Sequence, residues 1–161
     1  MNQTHLHLLI THLAIFGSIL GALVLAHALW TSSNSTKIAA YYVLIISALG
    51  AGIAYLTGEA AEETVEHLPG VFEATIKTHE EFALYALISL ITLGVVACIG
   101  LWTVFSKSNY IRSTAIAILI LAGISFGLVA RTGYLGGQIR HTEVYPNANN
   151  STELIDKEDN D

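Results

Sequence analysis

Four stretches of this chain are almost free of charge: approximately Leu6–Trp30, Ile38–Thr57, Phe82–Phe105 and Ile111–Ala130. An α-helix needs roughly 20 apolar residues to cross the hydrocarbon core of a bilayer, and each stretch is about that long. With 53% hydrophobic and 12% charged residues in 161, a soluble fold has nowhere to bury four such segments. The expected fold is all-α, a four-helix transmembrane bundle over residues 1–144. The segment 145–161 is rich in Asn, Asp, Glu and Ser, has little to bury, and reads as an acidic disordered tail. The first apolar run is expected to stay in the mature protein. It is longer than the apolar part of a secretory signal, about 7 to 15 residues, and no Lys or Arg precedes it.

Four spans place both termini and the loop from Gly58 to Glu80 on one face, and the connectors Thr31–Lys37 and Ser106–Arg112 on the other. All thirteen acidic residues fall on the first face, with six of the seven histidines. The connectors carry Lys37, Lys107 and Arg112 and no acid. Short loops rich in Lys and Arg face the cytoplasm, so the termini and the acidic loop are expected to be extracytoplasmic, in a bacterial inner membrane. A net charge of −6 with no basic cluster excludes nucleic acid as a partner. Cys98 is single and sits inside the third span, where it reads as a small packing residue.

Lipid gives helices no hydrophobic reason to associate, so small residues must let backbones approach. Gly17-x-x-x-Gly21, Gly123-x-x-x-Gly127 and Gly133-x-x-x-Gly137, with Ala48-x-x-x-Gly52 and Gly50-x-x-x-Ala54, have the required spacing. They fit packing within one bundle or a homodimer seam. Trp30, Trp102, Tyr41, Tyr42, Tyr110 and Tyr134 lie near span ends and read as interfacial anchors.

Ionisable groups in or beside lipid are costly, and each marks a candidate site. His12 lies about one turn inside span one, His79 just before span three and His141 just after span four, all at the same face. Three imidazoles at one depth are positioned to hold a Zn, Cu or Fe ion, or haem. Singly, each also reads as a hydrogen-bonded interfacial side chain, as do His5, His7 and His67. Glu59, Glu62, Glu63 and Glu66 form a carboxylate stripe if Gly58 to His67 is helical, which is either a solvated face or, through Glu63 and His67, part of a metal site. Glu80 and Glu81 are placed to accept from His79, as partners of metal-bound histidines do. Arg131 and Arg140 bracket the end of span four, suited to snorkelling, to an acid such as Glu59, or to a haem propionate. Gly133, Gly136 and Gly137 weaken a helix by roughly 1 kcal/mol each, so something is expected to approach that backbone closely.

Several of these residues fall in a recognisable order: His12 on span one, Leu56-Thr57-Gly58 closing span two, His79 opening span three, and Gly133, Gly136, Gly137 and His141 closing span four. In this the chain resembles a bacterial membrane-protein family known as domain of unknown function 2231, over about Leu6 to Val144. It departs from that pattern at Leu13, where the family commonly has proline, and at Thr142, where it has glycine. The resemblance implies the four-helix fold and these positions, with an analogy to small b-type cytochromes, but no reaction.

Three functions follow as expectations. The first is haem b held by two of His12, His79 and His141, with Arg131 or Arg140 on a propionate, in electron transfer within a respiratory or redox assembly. The second is a non-haem metal-ion site, structural or for uptake, adding Glu59, Glu63 or Glu80 to the histidines. The third is an accessory subunit whose acidic face recruits a basic soluble cytochrome or a larger redox complex. No motif of an independent enzyme is present.

Overall fold

The computed structural model describes residues 3–65, 71 and 73–140. The elements are α1 (Gln3–Trp30), α2 (Asn34–Leu56), α3 (Gly58–Val65), α4 (Glu73–Phe105) and α5 (Ile111–Arg140). The four long helices run up and down in a ring, α1 beside α2, α2 beside α4, α4 beside α5 and α5 beside α1, with the diagonal pairs barely touching. The short α3 packs over the end of α1 and α2. All four long helices are long and apolar enough to cross a membrane.

The distribution of side-chain size shows which solvent this bundle is built for. Eleven of its 21 buried hydrophobic residues are alanines, and Ser18, Ser47 and Ser125 are fully buried. The bulk points outward instead: Leu9, Phe16, Leu23, Leu49, Val95 and Ile120 are exposed. Water would penalise that inversion, whereas lipid accepts the outer face and leaves small residues to bring backbones together.

The contacts are specific. A Cβ added at Gly17 would stand 2.8 Å from Ser47 Cβ, and one at Gly21 would stand 2.5 Å from Leu44 Cδ2, so α1 meets α2 along this glycine pair. There the Ser47 hydroxyl donates across to the Ala14 carbonyl at 2.9 Å. Gly94 serves α2 against α4, facing Ala48, and Gly100 receives the ring of Tyr41. By contrast, Gly52, Gly123 and Gly127 meet nothing within 4 Å, so the Gly123-x-x-x-Gly127 spacing does not pack this bundle. Tyr41 also departs from expectation: it is fully buried, not interfacial, and its hydroxyl has no hydrogen-bond partner. Trp30, Trp102 and Tyr110 do point outward at the connector end.

Both connectors are built alike. After α1, Ser32 takes a left-handed conformation (φ 54°) and the Ser33 N–H bonds the Ala28 carbonyl at 3.1 Å. After α4, Lys107 does the same (φ 52°) and the Ser108 N–H bonds the Thr103 carbonyl at 3.0 Å. Each arrangement satisfies carbonyls that a helix end leaves open. Ser33 then caps α2, its hydroxyl accepting the Thr36 N–H at 3.2 Å.

Helices α4 and α5 run farther than the apolar stretches within them, starting at Glu73 rather than Phe82 and ending at Arg140 rather than Ala130. Apolarity marks the part that meets hydrocarbon, while the helix continues wherever its backbone bonds and neighbours support it. Gly133, Gly136 and Gly137 therefore remain helical despite their low propensity.

Candidate histidine site at the acid-rich end

The last carbonyls of a helix lack intrahelical donors. At the end of α2, the Ala54 carbonyl takes one from another helix: His7 Nδ1–H of α1 donates to it at 2.8 Å. The Thr57 hydroxyl stands 3.3 Å from the same nitrogen and itself donates to the Ile53 and Ala54 carbonyls. Across the bundle His79, now well inside α4, donates from Nδ1 to the Thr132 carbonyl of α5 at 3.0 Å. A carbonyl only accepts, so both imidazoles carry a proton on Nδ1, and in the neutral form of each ring the lone pair is on Nε2.

The two halves of the site follow one plan. In each, a glycine lies four residues beyond the accepting carbonyl, Gly58 after Ala54 and Gly136 after Thr132. In each, that glycine faces the imidazole: a Cβ on Gly58 would be 3.7 Å from His7 Cε1, and one on Gly136 would be 3.1 Å from His79 Cε1. The close approach expected at the glycine-rich end of span four is thus made, in this structure, by the His79 ring. The histidines, from α1 and α4, are near enough to act on one another electrostatically, and Glu80 acts on His79 as well. Each of the four long helices contributes a residue to this arrangement.

His12 stands apart from the pair. Five residues beyond His7, it lies about 140° around α1. Its exposed ring bonds back to the Leu8 carbonyl through Nδ1 at 2.6 Å and stacks on Phe16, ring centres 6.1 Å apart. Helical phase, which a comparison of depth alone ignores, turns it away and turns His7 in. The acceptor for His79 also differs from expectation, being a backbone carbonyl in place of Glu80 or Glu81, both exposed. Glu59 and Glu63 are exposed on α3, which is helical over Gly58–Val65. Arg131 lies over the rings of Phe82 and Tyr134, 5.6 and 5.4 Å from their centres, at the α4–α5 surface. His141, His67, Glu66, the Arg140 side chain and the acidic tail lie outside the described residues. Among the described residues no group of three or more His, Cys, Asp or Glu is placed to hold a metal ion.

Sequence reasoning passed over His7 as an interfacial side chain. One signal bore on it: Leu29-Trp30 and Leu101-Trp102 each begin 22 residues after a histidine, His7 and His79 respectively. No family model matches the chain, and no curated protein or solved structure proved detectably similar to it.

Proposed function

We propose that this multi-pass membrane protein binds b-type haem through His7 and His79 and carries electrons at the acid-rich end of its bundle. The observation that carries the reading is the matched pair of imidazoles, each fixed at Nδ1 by a backbone carbonyl and each offering Nε2. Metal-bound histidines are held in this way, the second nitrogen setting tautomer and ring orientation. Helical bundles build cofactor sites from side chains on facing helices.

The donor set favours haem over a bare ion. A porphyrin fills four positions of iron and asks the protein for two, whereas a structural zinc site takes four protein ligands. Two imidazoles are what α1 and α4 supply. Arg131, which lies over the Phe82 and Tyr134 rings, has N–H donors that would suit a propionate. Bound there, haem would supply a one-electron carrier, held by the His7 and His79 imidazoles, whose potential these ligands and burial would tune. The connector basics support an orientation with this end outside the cytoplasm of a bacterial inner membrane, where the acidic residues of α3 and α4 would attract a basic soluble cytochrome. This is also how we read the resemblance to domain of unknown function 2231.

The test is the visible spectrum of the purified protein, oxidised and then reduced with dithionite. A Soret band and a reduced α band are expected, lost in His7→Ala and in His79→Ala and retained in His12→Ala. Gly136→Ala, which presses on the His79 ring, should shift or weaken the bands in a protein that still folds. Wild-type protein without either band, or bands indifferent to both His7→Ala and His79→Ala, would overturn the proposal.

A further inference from the structure

At the opposite end of the bundle a cation is buried with no counter-ion among the described residues. Lys37, in the first turn of α2, is only 4% exposed. Its ammonium has three hydrogens to donate, and one bond is made, to Asn34 Oδ1 at 3.1 Å. Its electrostatic neighbour is another cation, Arg112 in the first turn of α5. Every described carboxylate, Glu59, Glu62, Glu63, Glu73, Glu80 and Glu81, belongs to the histidine end, roughly 30 Å away along helices of this length. At that distance none of them can pair with Lys37 or Arg112.

A buried charge is retained at low cost only when it is paired. Both cations sit at helix N-termini, whose dipoles add positive potential to this end. Trp30, Trp102 and Tyr110 point outward at the same end, where aromatic rings mark the headgroup layer. The missing anion is therefore to be sought in the membrane.

We propose that Lys37 and Arg112 form a binding site for the headgroup phosphate of an anionic phospholipid, at the connector end of the bundle where α2 and α5 begin. The ammonium and the guanidinium donate charge-assisted hydrogen bonds to the phosphate oxygens, and the acyl chains lie along the apolar outer surface of the bundle. Basic pockets between transmembrane helices recognise acidic lipids by this chemistry. The site is independent of the histidine pair.

The test is native mass spectrometry of the full-length protein, delipidated in detergent and titrated with phosphatidylglycerol or with phosphatidylcholine of the same acyl chains. Wild-type protein should retain phosphatidylglycerol about tenfold more strongly, the effect of about one charge-assisted contact. Lys37→Gln and Arg112→Gln should each reduce that preference by a similar factor, while Lys107→Gln, which alters the other connector cation, leaves it intact. Arg112 is exposed, so its variant reads out the site even if Lys37→Gln fails to fold. Equal retention of the two lipids, a preference unchanged in Arg112→Gln, or displacement of the lipid by excess inorganic phosphate would each overturn the proposal.

Discussion

Replacing Gly17 by alanine tests the central contact of the bundle. The new Cβ would stand 2.8 Å from Ser47 Cβ and 3.2 Å from Ser47 Oγ. Neither atom can swing aside, because Cβ is fixed by the backbone and Oγ is held by the Ala14 carbonyl. Helices α1 and α2 must separate. Overpacking of this kind costs about 1–3 kcal/mol, and loss of an interhelical hydrogen bond in a membrane adds about 0.6 kcal/mol. Alanine recovers about 1 kcal/mol of helix propensity, so the net loss is about 0.5–2.5 kcal/mol. Gly123→Ala is the matched control: its Cβ meets nothing within 4 Å, and it should gain up to about 1 kcal/mol. Unfolding in mixed micelles of increasing SDS content, followed by far-UV circular dichroism, measures both variants. A Gly17→Ala protein as stable as wild type, with Gly123→Ala destabilised, would refute the assignment of inward and outward glycine faces.

Three further substitutions are expected to stabilise. Tyr41→Phe removes a buried hydroxyl that has no partner and should gain about 1 kcal/mol in the same unfolding assay; a loss of that size would mean the hydroxyl is bonded in the membrane. Ser32→Gly and Lys107→Gly relieve left-handed backbone at the two connectors, each by about 0.5–1 kcal/mol after the entropy cost of glycine. Independent, additive rises in the SDS midpoint are expected, and a fall for either would show that its side chain holds the turn.

The fold was legible because hydropathy reports directly on the surrounding solvent: Phe82–Phe105 and Ile111–Ala130 had to cross something apolar, and both do lie within long helices. Gly17 and Gly21 were legible as contacts because close helices need small residues. The same logic over-reached at Gly123 and Gly127, since spacing gives a shared face but not the direction in which it points. The site was partly legible. His79 and Gly136 were singled out as separate features, a costly ionisable group and a costly glycine, and the structure joins them. His7 was missed and His12 preferred because depth along a helix can be counted in residues, whereas the orientation of its faces depends on the neighbouring helices.

Length, apolarity and the segregation of acids from the connector basics are properties of the chain read in order, and they alone determined a four-helix membrane bundle with polar groups at one end. Pairing His7 with Ala54 and His79 with Thr132 joins residues 47 and 53 positions apart, and only packing brings them together. The same holds for Lys37 and Arg112, which act on one another electrostatically with no described carboxylate at their end of the bundle. Helix formation is local, so its pattern is written locally. The orientation of four helices about their own axes minimises the energy of all their contacts at once, and it decides which imidazoles, glycines and cations face one another.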